Sequence, residues 1–507
     1  MKKVEVAEVA EVVEVAIVGA GLGGLCAAIQ LQQAGHTSVL ILERSAQVGG
    51  TWRDNVYPGC ACDVPSHLYS LSFEPNQAWS RPYPQQQEIQ DYILRLVDTY
   101  QLRPLIAFNT EVQTLRWLPQ QQHWQVERAG QAPVLARHVV LATGPLNKPL
   151  IPQVPGLDTF AGVAFHSNQW RADLDLTGKR VAVVGTGASA VQFVPEIAPL
   201  AAHLTVFQRT PAWVLPRDDV PYGRFKRWLF QRVPGVQRLS RWRVYWFNEL
   251  VGMGFMGSSW VQNRLRSMAG RHLKAQVPDA TMRAALTPNF NPGCKRLLIS
   301  NTWHPALQRP NVRLVTQAVT AVRPEGVVSA DGVLHPCDVI IWGTGFKAAE
   351  LVTPLQVFGE VPTGHSTPLE LAALWRQQSA ATQLGITVAG FPNLFLLVGP
   401  NTGLGHNSII FMIEAQVHYV VRALQHLKAQ QQGVLALKAE VQQRSYADMQ
   451  QRMKRTVWAS GCHSWYQNER GEIDLLWPGF TWQYWLKTRH FNAAHYQCTP
   501  LAPRAET

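Results

Sequence analysis

Two segments of this chain repeat the order of apolar strand, glycine-rich turn and helix, and this repeat constrains the fold more than any other feature. In the first segment an apolar run meets a turn over residues 19–24. In the second, a strand that begins near Lys179 meets a turn over residues 185–190. A strand that is apolar on both faces and leads into a helix is typical of a parallel βαβ unit. The sequence therefore predicts an α/β fold with two such units.

The first turn fits the pattern GxGxxG, in which Gly19, Gly21 and Gly24 are the three glycines. The first glycine permits the tight turn, the second lets a pyrophosphate approach the backbone, and the third lets the helix pack on the strand. The helix then offers unpaired N–H groups to the phosphates. Glu43 follows 19 residues after Gly24, a spacing that suits a carboxylate accepting hydrogen bonds from ribose hydroxyls. The pattern predicts a Rossmann-like site for FAD or NAD.

The second turn is the GxGxxA variant, formed by Gly185, Thr186, Gly187, Ala188, Ser189 and Ala190. Arg209 stands 19 residues after Ala190, where the first unit has its carboxylate. A carboxylate there would repel a 2′-phosphate, whereas an arginine can bind it. The second unit is therefore predicted to bind NADPH, and two nucleotide sites in one chain indicate electron transfer between them.

The basic residues are concentrated in one segment. The chain of 507 residues has a net charge of +12, but residues 222–274 contain eleven basic residues and one acid, a net charge of +10. The same segment contains Trp228, Trp242, Trp246 and Trp260. Such a composition suits a helix at a membrane surface, so a peripheral membrane contact is one alternative. Nucleic acid is not expected as a partner, because no recognition fold accompanies the charge.

Cysteine usage and apolar runs bear on the compartment. Seven cysteines are an odd number, so we expect no disulfide framework and a reducing, cytoplasmic setting. Glutamates interrupt the first 14 residues, so a secretory signal is not expected, and no run reaches the ~18 apolar residues that span a bilayer. The chain lacks a CxxxxC pair, which argues against the flavin-dependent disulfide reductases, and no metal site is expected.

A third motif lies between the two glycine-rich turns. Residues 160–170 fit FxGxxxHxxxW, with His166 and Trp170 as its last two defined positions. It is accompanied by four further segments: GGTW at 49–52, YPGCACD at 57–63, GCKR at 293–296 and GPNT at 399–402. With these motifs the chain resembles the Baeyer–Villiger monooxygenases, which are class B flavoproteins that use FAD and NADPH. The resemblance extends from about Val15 to Tyr496.

The resemblance implies a reaction and its reactants. In this family NADPH reduces FAD, dioxygen forms a C4a-peroxyflavin, and that species attacks a ketone, which becomes an ester or a lactone. The anions that arise on this route need a fixed positive charge in a dry site. Arg296 is the candidate, because a guanidinium stays charged at any relevant pH. Asp63 is expected to orient Arg296 over the flavin, so both are candidate catalytic residues.

The resemblance also assigns binding positions. The positions that match flavin contacts are Thr51, Trp52, Asp63, Tyr69 and Val112. The positions that match contacts to NADPH are Arg209, Thr210 and Lys295 around the 2′-phosphate, with Trp465 on the nicotinamide side. His166 and Trp170 lie in the connection between the two nucleotide-binding units. We expect them to couple these units rather than to transfer protons.

The motifs divide the chain into five segments. An FAD-binding domain is expected over residues 1–148 and 376–507, and an NADPH-binding domain over 149–215 and 295–375. A helical, basic insert is expected over residues 216–294, within the NADPH-binding domain. The tryptophan-rich tail near the carboxyl terminus is expected to serve packing.

Two other enzyme functions stay open from the sequence. A related class of flavin monooxygenases oxygenates nitrogen or sulfur and shares both glycine-rich turns. An NADPH oxidase would release only hydrogen peroxide. The motif at 160–170 and Arg296 favour ketone oxidation, with a small-molecule ketone and dioxygen as the reactants. Neither the ketone nor the oligomeric state follows from the sequence.

Overall fold

The computed structural model describes residues 11–462, 466–468 and 470–502. The amino-terminal part alternates strands with helices, and its elements are β1 (Glu11–Val18), α1 (Leu22–Gln33), β2 (Val39–Leu42), α2 (Thr51–Asp54), α3 (Gln86–Thr99), β3 (Ile106–Ala107), β4 (Val112–Leu118), β5 (His123–Arg128) and β6 (Gln131–Leu141). The next part begins the second βαβ unit and contains β7 (Val163–His166), β8 (Arg180–Val184), α4 (Ala188–Ile197), β9 (His203–Phe207) and β10 (Val214–Leu215).

Four helices then precede the remaining strands of the second unit. These elements are α5 (Arg224–Arg232), α6 (Val236–Phe255), α7 (Ser259–Gln276), α8 (Ala280–Ala285), β11 (Leu298–Ile299), α9 (Trp303–Leu307), β12 (Val312–Val315), β13 (Val319–Arg323), β14 (Gly326–Ser329), β15 (Leu334–Pro336) and β16 (Val339–Trp342). The carboxy-terminal part contains β17 (Gln356–Phe358), α10 (Leu371–Gln377), β18 (Leu394–Leu396), α11 (Ile409–Ala429), β19 (Gln432–Leu437), α12 (Ala439–Met453), α13 (Thr481–Thr488) and β20 (Tyr496–Pro500).

The first glycine-rich turn belongs to an eight-stranded sheet. Its strand order is β17-β4-β5-β6-β1-β2-β3, with β18 also paired to β6. β1 runs parallel to both β2 and β6. Val15, Ala16 and Ile17 in β1 are fully buried. Burial on both faces is what the uninterrupted apolar run predicted, since a parallel strand is covered by helices on each side.

The second glycine-rich turn belongs to a separate five-stranded sheet. Its order is β12-β9-β8-β16-β7, and all neighbouring strands are parallel. A small antiparallel sheet of β13, β14 and β15 accompanies it. The first sheet is mixed, because β5 pairs antiparallel with both β4 and β6, whereas the second is wholly parallel. Each sheet contains a parallel strand that leads through a glycine-rich turn into a helix, which confirms the predicted α/β fold with two Rossmann-like units.

The helices α5 to α8 interrupt the second unit between two short strands. β10 and β11 pair in parallel, with Val214 opposite Leu298 and Leu215 opposite Ile299. The chain therefore leaves and re-enters this region at neighbouring points. The predicted helical insert is present, and its helices account for most of the segment between these strands.

One short strand departs from the expected division of the chain. β17 pairs in parallel with β4 of the first sheet, with Gln356 opposite Thr114. The chain thus returns to the first sheet before residue 376, where the sequence analysis placed that return. A strand of three residues carries too little periodicity to be recognised, and its pairing is decided by tertiary packing.

The cysteines also differ from expectation at one place. Cys294 and Cys462 form a disulfide, with Cα atoms 6.3 Å apart and a sequence separation of 168. One bond is not a framework, but it departs from the reducing setting that the odd cysteine count suggested. Only the fold brings these two side chains together. The other five cysteines are free. In the described part of the chain, no helix is long and apolar enough to cross a membrane.

Candidate active site

The first glycine-rich turn forms an open cradle at the start of α1. Gly19 has a φ of +106°, and a Cβ there would lie 2.7 Å from Ala142 O, so only glycine fits. A Cβ at Gly24 would lie 1.9 Å from Gly19 O, because the helix packs closely on the turn. At Gly21 the nearest such atom would be Gly50 Cα at 3.8 Å. This space, beside the unpaired N–H groups of a helix start, fits a pyrophosphate.

Glu43 lies just after β2 at the edge of this cradle and is 4% exposed. Its Oε2 accepts a hydrogen bond from Ala20 N at 2.8 Å, and its Oε1 accepts one from Arg53 Nη1 at 3.0 Å. A carboxylate has further lone pairs, so Glu43 can still accept hydrogen bonds from ribose hydroxyls. Sequence reasoning missed Arg53, for which the only signal is its place directly after the GGTW segment.

The proposed flavin-contacting side chains lie near the same strand ends. Thr51 and Trp52 begin α2, and Trp52 Nε1 donates a hydrogen bond to the Tyr69 hydroxyl at 2.9 Å. The two rings meet edge to face, with centroids 5.5 Å apart. Val112 begins β4, and Thr110, two residues earlier, donates from its N to the main chain just after β2. Thr51, Trp52 and Tyr69 thus lie together in the segment that follows β2, and Val112 is connected to the end of β2 only through Thr110.

The second turn repeats the geometry of the first. Gly185 has a φ of +113°, and a Cβ there would lie 2.3 Å from Gly343 O. At Gly187 the nearest atom would be 3.9 Å away, which leaves space at the start of α4, whose first residue is Ala188. A Cβ at Gly343 would lie 3.4 Å from the Ala190 Cβ. Ala190, the alanine of GxGxxA, and Gly343, which follows β16, therefore face each other.

Two cations lie beside this second turn. Arg209 follows β9, and Lys295 follows the insert; burial, together with the charge of Arg209, lowers the pKa of Lys295. Thr186 Oγ1 donates to Thr210 O at 3.4 Å, which ties the turn to the loop that holds Arg209. Within residues 11–462, 466–468 and 470–502, neither cation forms an ion pair with a carboxylate. Like charges held together in this way fit a 2′-phosphate, which both can bind.

Asp63 and Arg296 form a bidentate ion pair across 233 residues of sequence. Arg296 Nε donates to Asp63 Oδ2 at 3.0 Å, and Nη2 donates to Oδ1 at 2.8 Å and Oδ2 at 2.6 Å. Arg296 Nη1 donates to Leu404 O at 3.2 Å. The Asp63 carboxylate raises the pKa of Arg296 above its usual value. The guanidinium is therefore held in one plane with a permanent charge, and 33% of its side chain stays exposed to a reactant.

Tyr466, which sequence reasoning missed, lies beside this pair. It is 1% exposed, and burial raises its pKa to about 12, although the charge of Arg296 acts in the opposite direction. The phenol is therefore neutral near pH 7. Trp465, the proposed nicotinamide contact, lies outside the described residues. The disulfide between Cys294 and Cys462 connects the segment of Arg296 to the segment that leads to Tyr466.

His166 and Trp170 lie among buried aromatic rings. His166 is the last residue of β7, opposite Trp342 in β16, and its ring lies 5.4 Å from that of Phe346. Burial lowers the pKa of His166, so its ring is neutral near pH 7. The Trp170 ring lies 5.4 Å from Phe193 on α4. His166 thus belongs to the sheet of the second unit rather than to a connection between the two units, because β7 pairs with β16. Trp170 packs on α4 of the same unit.

Helix α4 of the second unit also binds the segment that precedes Asp63. Gln192 Nε2 donates to Ala61 O at 2.9 Å, and the Tyr57 hydroxyl donates to Gln192 Oε1 at 3.0 Å. A Cβ at Gly59 would lie 2.9 Å from Gln192 O, so this segment approaches the helix closely. Gln192 was missed because a glutamine inside a predicted helix carries no signal of its partner.

Comparisons with known proteins agree with this arrangement. The sequence model of the pyridine nucleotide-disulphide oxidoreductase family matches residues 16–249. A Baeyer-Villiger monooxygenase of Pseudomonas aeruginosa is 44% identical over 491 residues, which are 96% of this chain and 92% of that protein. One of Streptomyces coelicolor is 42% identical over 495 residues, which are 96% of this chain and 93% of that protein.

Solved structures resemble the chain over nearly its whole length. Cyclohexanone monooxygenase in its closed form has a TM-score of 0.86 at 25% identity, and the match covers 97% of this chain and 100% of that one. A complex of OTEMO with FAD and NADP has a TM-score of 0.84 at 27% identity, and covers 97% and 100%. The two cradles thus define an FAD- and NADPH-dependent flavin monooxygenase. The chain belongs to the Baeyer–Villiger monooxygenase family.

Proposed function

We propose that Arg296, held by Asp63, supplies the fixed positive charge with which this monooxygenase converts ketones to esters or lactones. The observation that carries the proposal is the bidentate pair, with oxygen–nitrogen distances of 2.6–3.0 Å. A charge that is preorganised in this way stabilises developing oxyanions without reorganising during the reaction. Asp63 then acts as a positioning residue, since it works through the guanidinium.

The residues around the two cradles would bind the cofactors. FAD and NADPH, when bound, supply the hydride transfer and the activation of dioxygen. The turn at Gly19–Gly24 would receive the FAD pyrophosphate, and Glu43 would accept hydrogen bonds from the ribose. Arg209, Thr210 and Lys295 would bind the 2′-phosphate, and that contact would select NADPH over NADH.

Coupling between the two units is assigned to the contacts of α4. Gln192 joins α4 to Ala61, two residues before Asp63. A shift of the nucleotide bound at the start of α4 would therefore reach the Asp63–Arg296 pair through a short path. Trp170 supports the same helix through Phe193. These assignments make His166 and Trp170 structural couplers rather than acid–base groups.

Ketone oxidation can be separated from oxygenation of nitrogen or sulfur by a direct experiment. The purified holoenzyme is incubated with NADPH and a panel of cyclic, aryl and linear ketones and matched sulfides, and esters and sulfoxides are quantified. We expect esters from the wild type and at least ~100-fold less from Arg296→Ala, as when one oxyanion donor is removed. Arg180→Ala is the matched control, because Arg180 forms an exposed bidentate pair with Asp338. Sulfoxide without ester from the wild type would support the alternative activity and contradict the proposal.

We also propose the division of the chain and its compartment. The two separate sheets support an FAD-binding domain over 1–148 and 376–507 and an NADPH-binding domain over 149–215 and 295–375, with the insert at 216–294. β17 is the exception, because it pairs with the first sheet before residue 376. Five free cysteines support a cytoplasmic location, whereas the Cys294–Cys462 bond weighs against it. Thiol alkylation after cells are quenched in acid and their proteins are denatured decides between them: seven alkylated cysteines support a reducing compartment, and five contradict it.

A further inference from the structure

The outward side of helix α6 is apolar, which is unusual for a surface helix. Leu239, Trp242, Trp246, Leu250 and Met253 recur every three or four residues, so they form one stripe along the helix. They are exposed by 71%, 54%, 49%, 52% and 40%, respectively. A surface helix normally turns such a stripe toward the core. We call these five side chains the aromatic stripe.

The opposite side of α6 is the one that packs on the protein. Gln237 Nε2 donates to Asn76 O at 2.5 Å, and Arg241 Nη1 donates to Ser70 O at 2.8 Å. Glu249, which is 4% exposed, accepts hydrogen bonds from side chains on the carboxy-terminal part. The helix is thus firmly attached through its polar side. The outward direction of the aromatic stripe is a consequence of that attachment.

A neighbouring helix, α13, extends the apolar surface. On α13, Trp482 and Trp485 are 38% and 44% exposed. The start of α13 touches α6, because Thr481 Oγ1 donates to the Tyr245 hydroxyl at 3.0 Å. The sequence analysis expected the tryptophans of this tail to pack inside, and these two do not. Large contiguous apolar surfaces mark interaction sites in soluble proteins.

Exposed cations accompany the aromatic stripe in the same segment. Ten of the eleven basic residues between 222 and 274 are exposed, Arg241 being the exception. Arg238 and Arg243 are on α6 itself, and Arg232 ends the preceding helix. Within the described residues, none of these ten forms an ion pair with a carboxylate. The segment therefore presents a net positive charge that the protein does not neutralise.

We propose that this face docks on an anionic lipid surface, with the aromatic stripe in the interfacial layer and the cations against the lipid headgroups. Tryptophan favours the boundary between headgroups and acyl chains, and basic side chains add electrostatic attraction to anionic lipids. A second copy of the chain does not fit, because it would bring the same unneutralised cations together. Nucleic acid does not fit, because aliphatic side chains such as Leu239 and Leu250 have no partner on a phosphate backbone.

The position of the face gives the docking a consequence for the substrate. Glu249, on the inner side of α6, accepts a hydrogen bond from Asn407 Nδ2 at 2.5 Å. Asn407 belongs to the same loop as Leu404, whose carbonyl oxygen binds Arg296. Docking would thus place the membrane against the outer side of α6, whose inner side contacts the loop that binds Arg296. Apolar ketones dissolved in the lipid would then reach Arg296 over a short distance. This consequence, unlike the docking, rests on the proposed ketone oxidation.

The docking is tested by co-sedimentation of the full-length holoenzyme with vesicles of phosphatidylcholine, with and without about 30% phosphatidylglycerol. We expect binding to the anionic vesicles at low salt and at least ~10-fold weaker binding near 0.5 M salt, where the Debye length falls to a few ångströms. Trp242→Ser/Trp246→Ser/Leu250→Ser should lower the partition coefficient at least ~10-fold. FAD absorbance and NADPH oxidation show that this variant is folded, so a failure of the docking and a failure of the proposed ketone oxidation are distinguished.

Two matched controls sharpen this test. Leu200→Ser/Val361→Ser removes side chains of 48% and 50% exposure that lie outside the insert, and should leave binding unchanged. Arg238→Glu/Arg243→Glu should weaken binding, whereas Arg313→Glu/Arg323→Glu, at exposed positions of the second unit, should do so far less.

Four results would overturn the proposal. The first is that the wild type does not sediment with anionic vesicles at low salt, and the second is that the triple serine variant binds as well as the wild type. The third is a dimer in light scattering that the triple serine variant converts to a monomer. The fourth is that duplex DNA displaces the protein from the vesicles. The third result would show that a second copy covers the stripe, and the fourth that the cations bind nucleic acid.

Discussion

Replacing Asp63 with asparagine tests how much the fixed orientation of Arg296 contributes. The substitution keeps the shape of the side chain but removes the charge that holds Arg296 Nε and Nη2. Breaking a buried ion pair costs about 3–5 kcal/mol and breaking an exposed one about 0–1 kcal/mol. The side chains of Arg296 and Asp63 are 33% and 26% exposed, so an intermediate cost is expected, about 2 kcal/mol. We expect the same free energy to be lost from the transition state, because its oxyanion needs the fixed charge; since about 1.4 kcal/mol is a factor of ten, ester formation should fall ~30-fold.

The assay separates oxygen transfer from cofactor reduction. Reduction of bound FAD by NADPH, followed anaerobically by flavin absorbance, should change far less than ester formation, because Asp63 lies outside the NADPH site and acts mainly through Arg296. Ester yield per NADPH consumed should fall, with hydrogen peroxide as the balance. Asp338→Asn is the control, since it breaks an exposed bidentate pair with Arg180, at 40% and 49% exposure. Ester formation by Asp63→Asn within threefold of the wild-type rate, or an equal loss in the control, would refute the reasoning.

Three further predictions concern the NADPH site and the disulfide. Arg209→Ala should raise the KM for NADPH at least ~10-fold and that for NADH by less than ~2-fold, because only the 2′-phosphate loses a charged partner; steady-state kinetics with both nucleotides decides. The affinity for NADPH should fall as pH rises through the lowered pKa of Lys295, since the charged amine binds the phosphate. In Arg209→Ala this fall should move to higher pH, which titration calorimetry over a pH series can show. Cys462→Ser should lower the melting temperature by an amount equal to that of a reductant on the wild type, because both remove the Cys294–Cys462 bond.

Local sequence patterns were sufficient to predict the two cradles. Each needs a left-handed glycine at its start, and Gly19 and Gly185 have φ values of +106° and +113°. Each also needs a helix directly after the turn, and α1 and α4 begin where the patterns place them. These requirements concern neighbouring residues, so spacing alone reveals them.

Contacts between distant segments could not be predicted in this way. Gln192 donates a hydrogen bond to Ala61, 131 residues away in sequence, and β17, a strand of only three residues, pairs with the first sheet. Tyr466 could be recognised only from its position beside Arg296 in the fold. The Asp63–Arg296 pair was anticipated because the family resemblance supplied it, not because any spacing implied it. Exposure was also misjudged: the tail tryptophans Trp482 and Trp485 face outward, since composition does not tell which side of a helix packs.

The cations of this chain differ in whether the protein provides their counter-charge, and this difference separates their roles. Arg296 is paired with Asp63, which fixes the orientation of the guanidinium. Only the exposed part of that side chain can contact a reactant. Arg209 and Lys295 have no carboxylate partner among the described residues, and neither do the exposed cations of the insert. Unneutralised charge that is concentrated at one place on the surface attracts external anions. For Arg209 and Lys295, beside a nucleotide cradle, that anion is a 2′-phosphate; for the insert, beside an outward apolar stripe, it is a lipid headgroup.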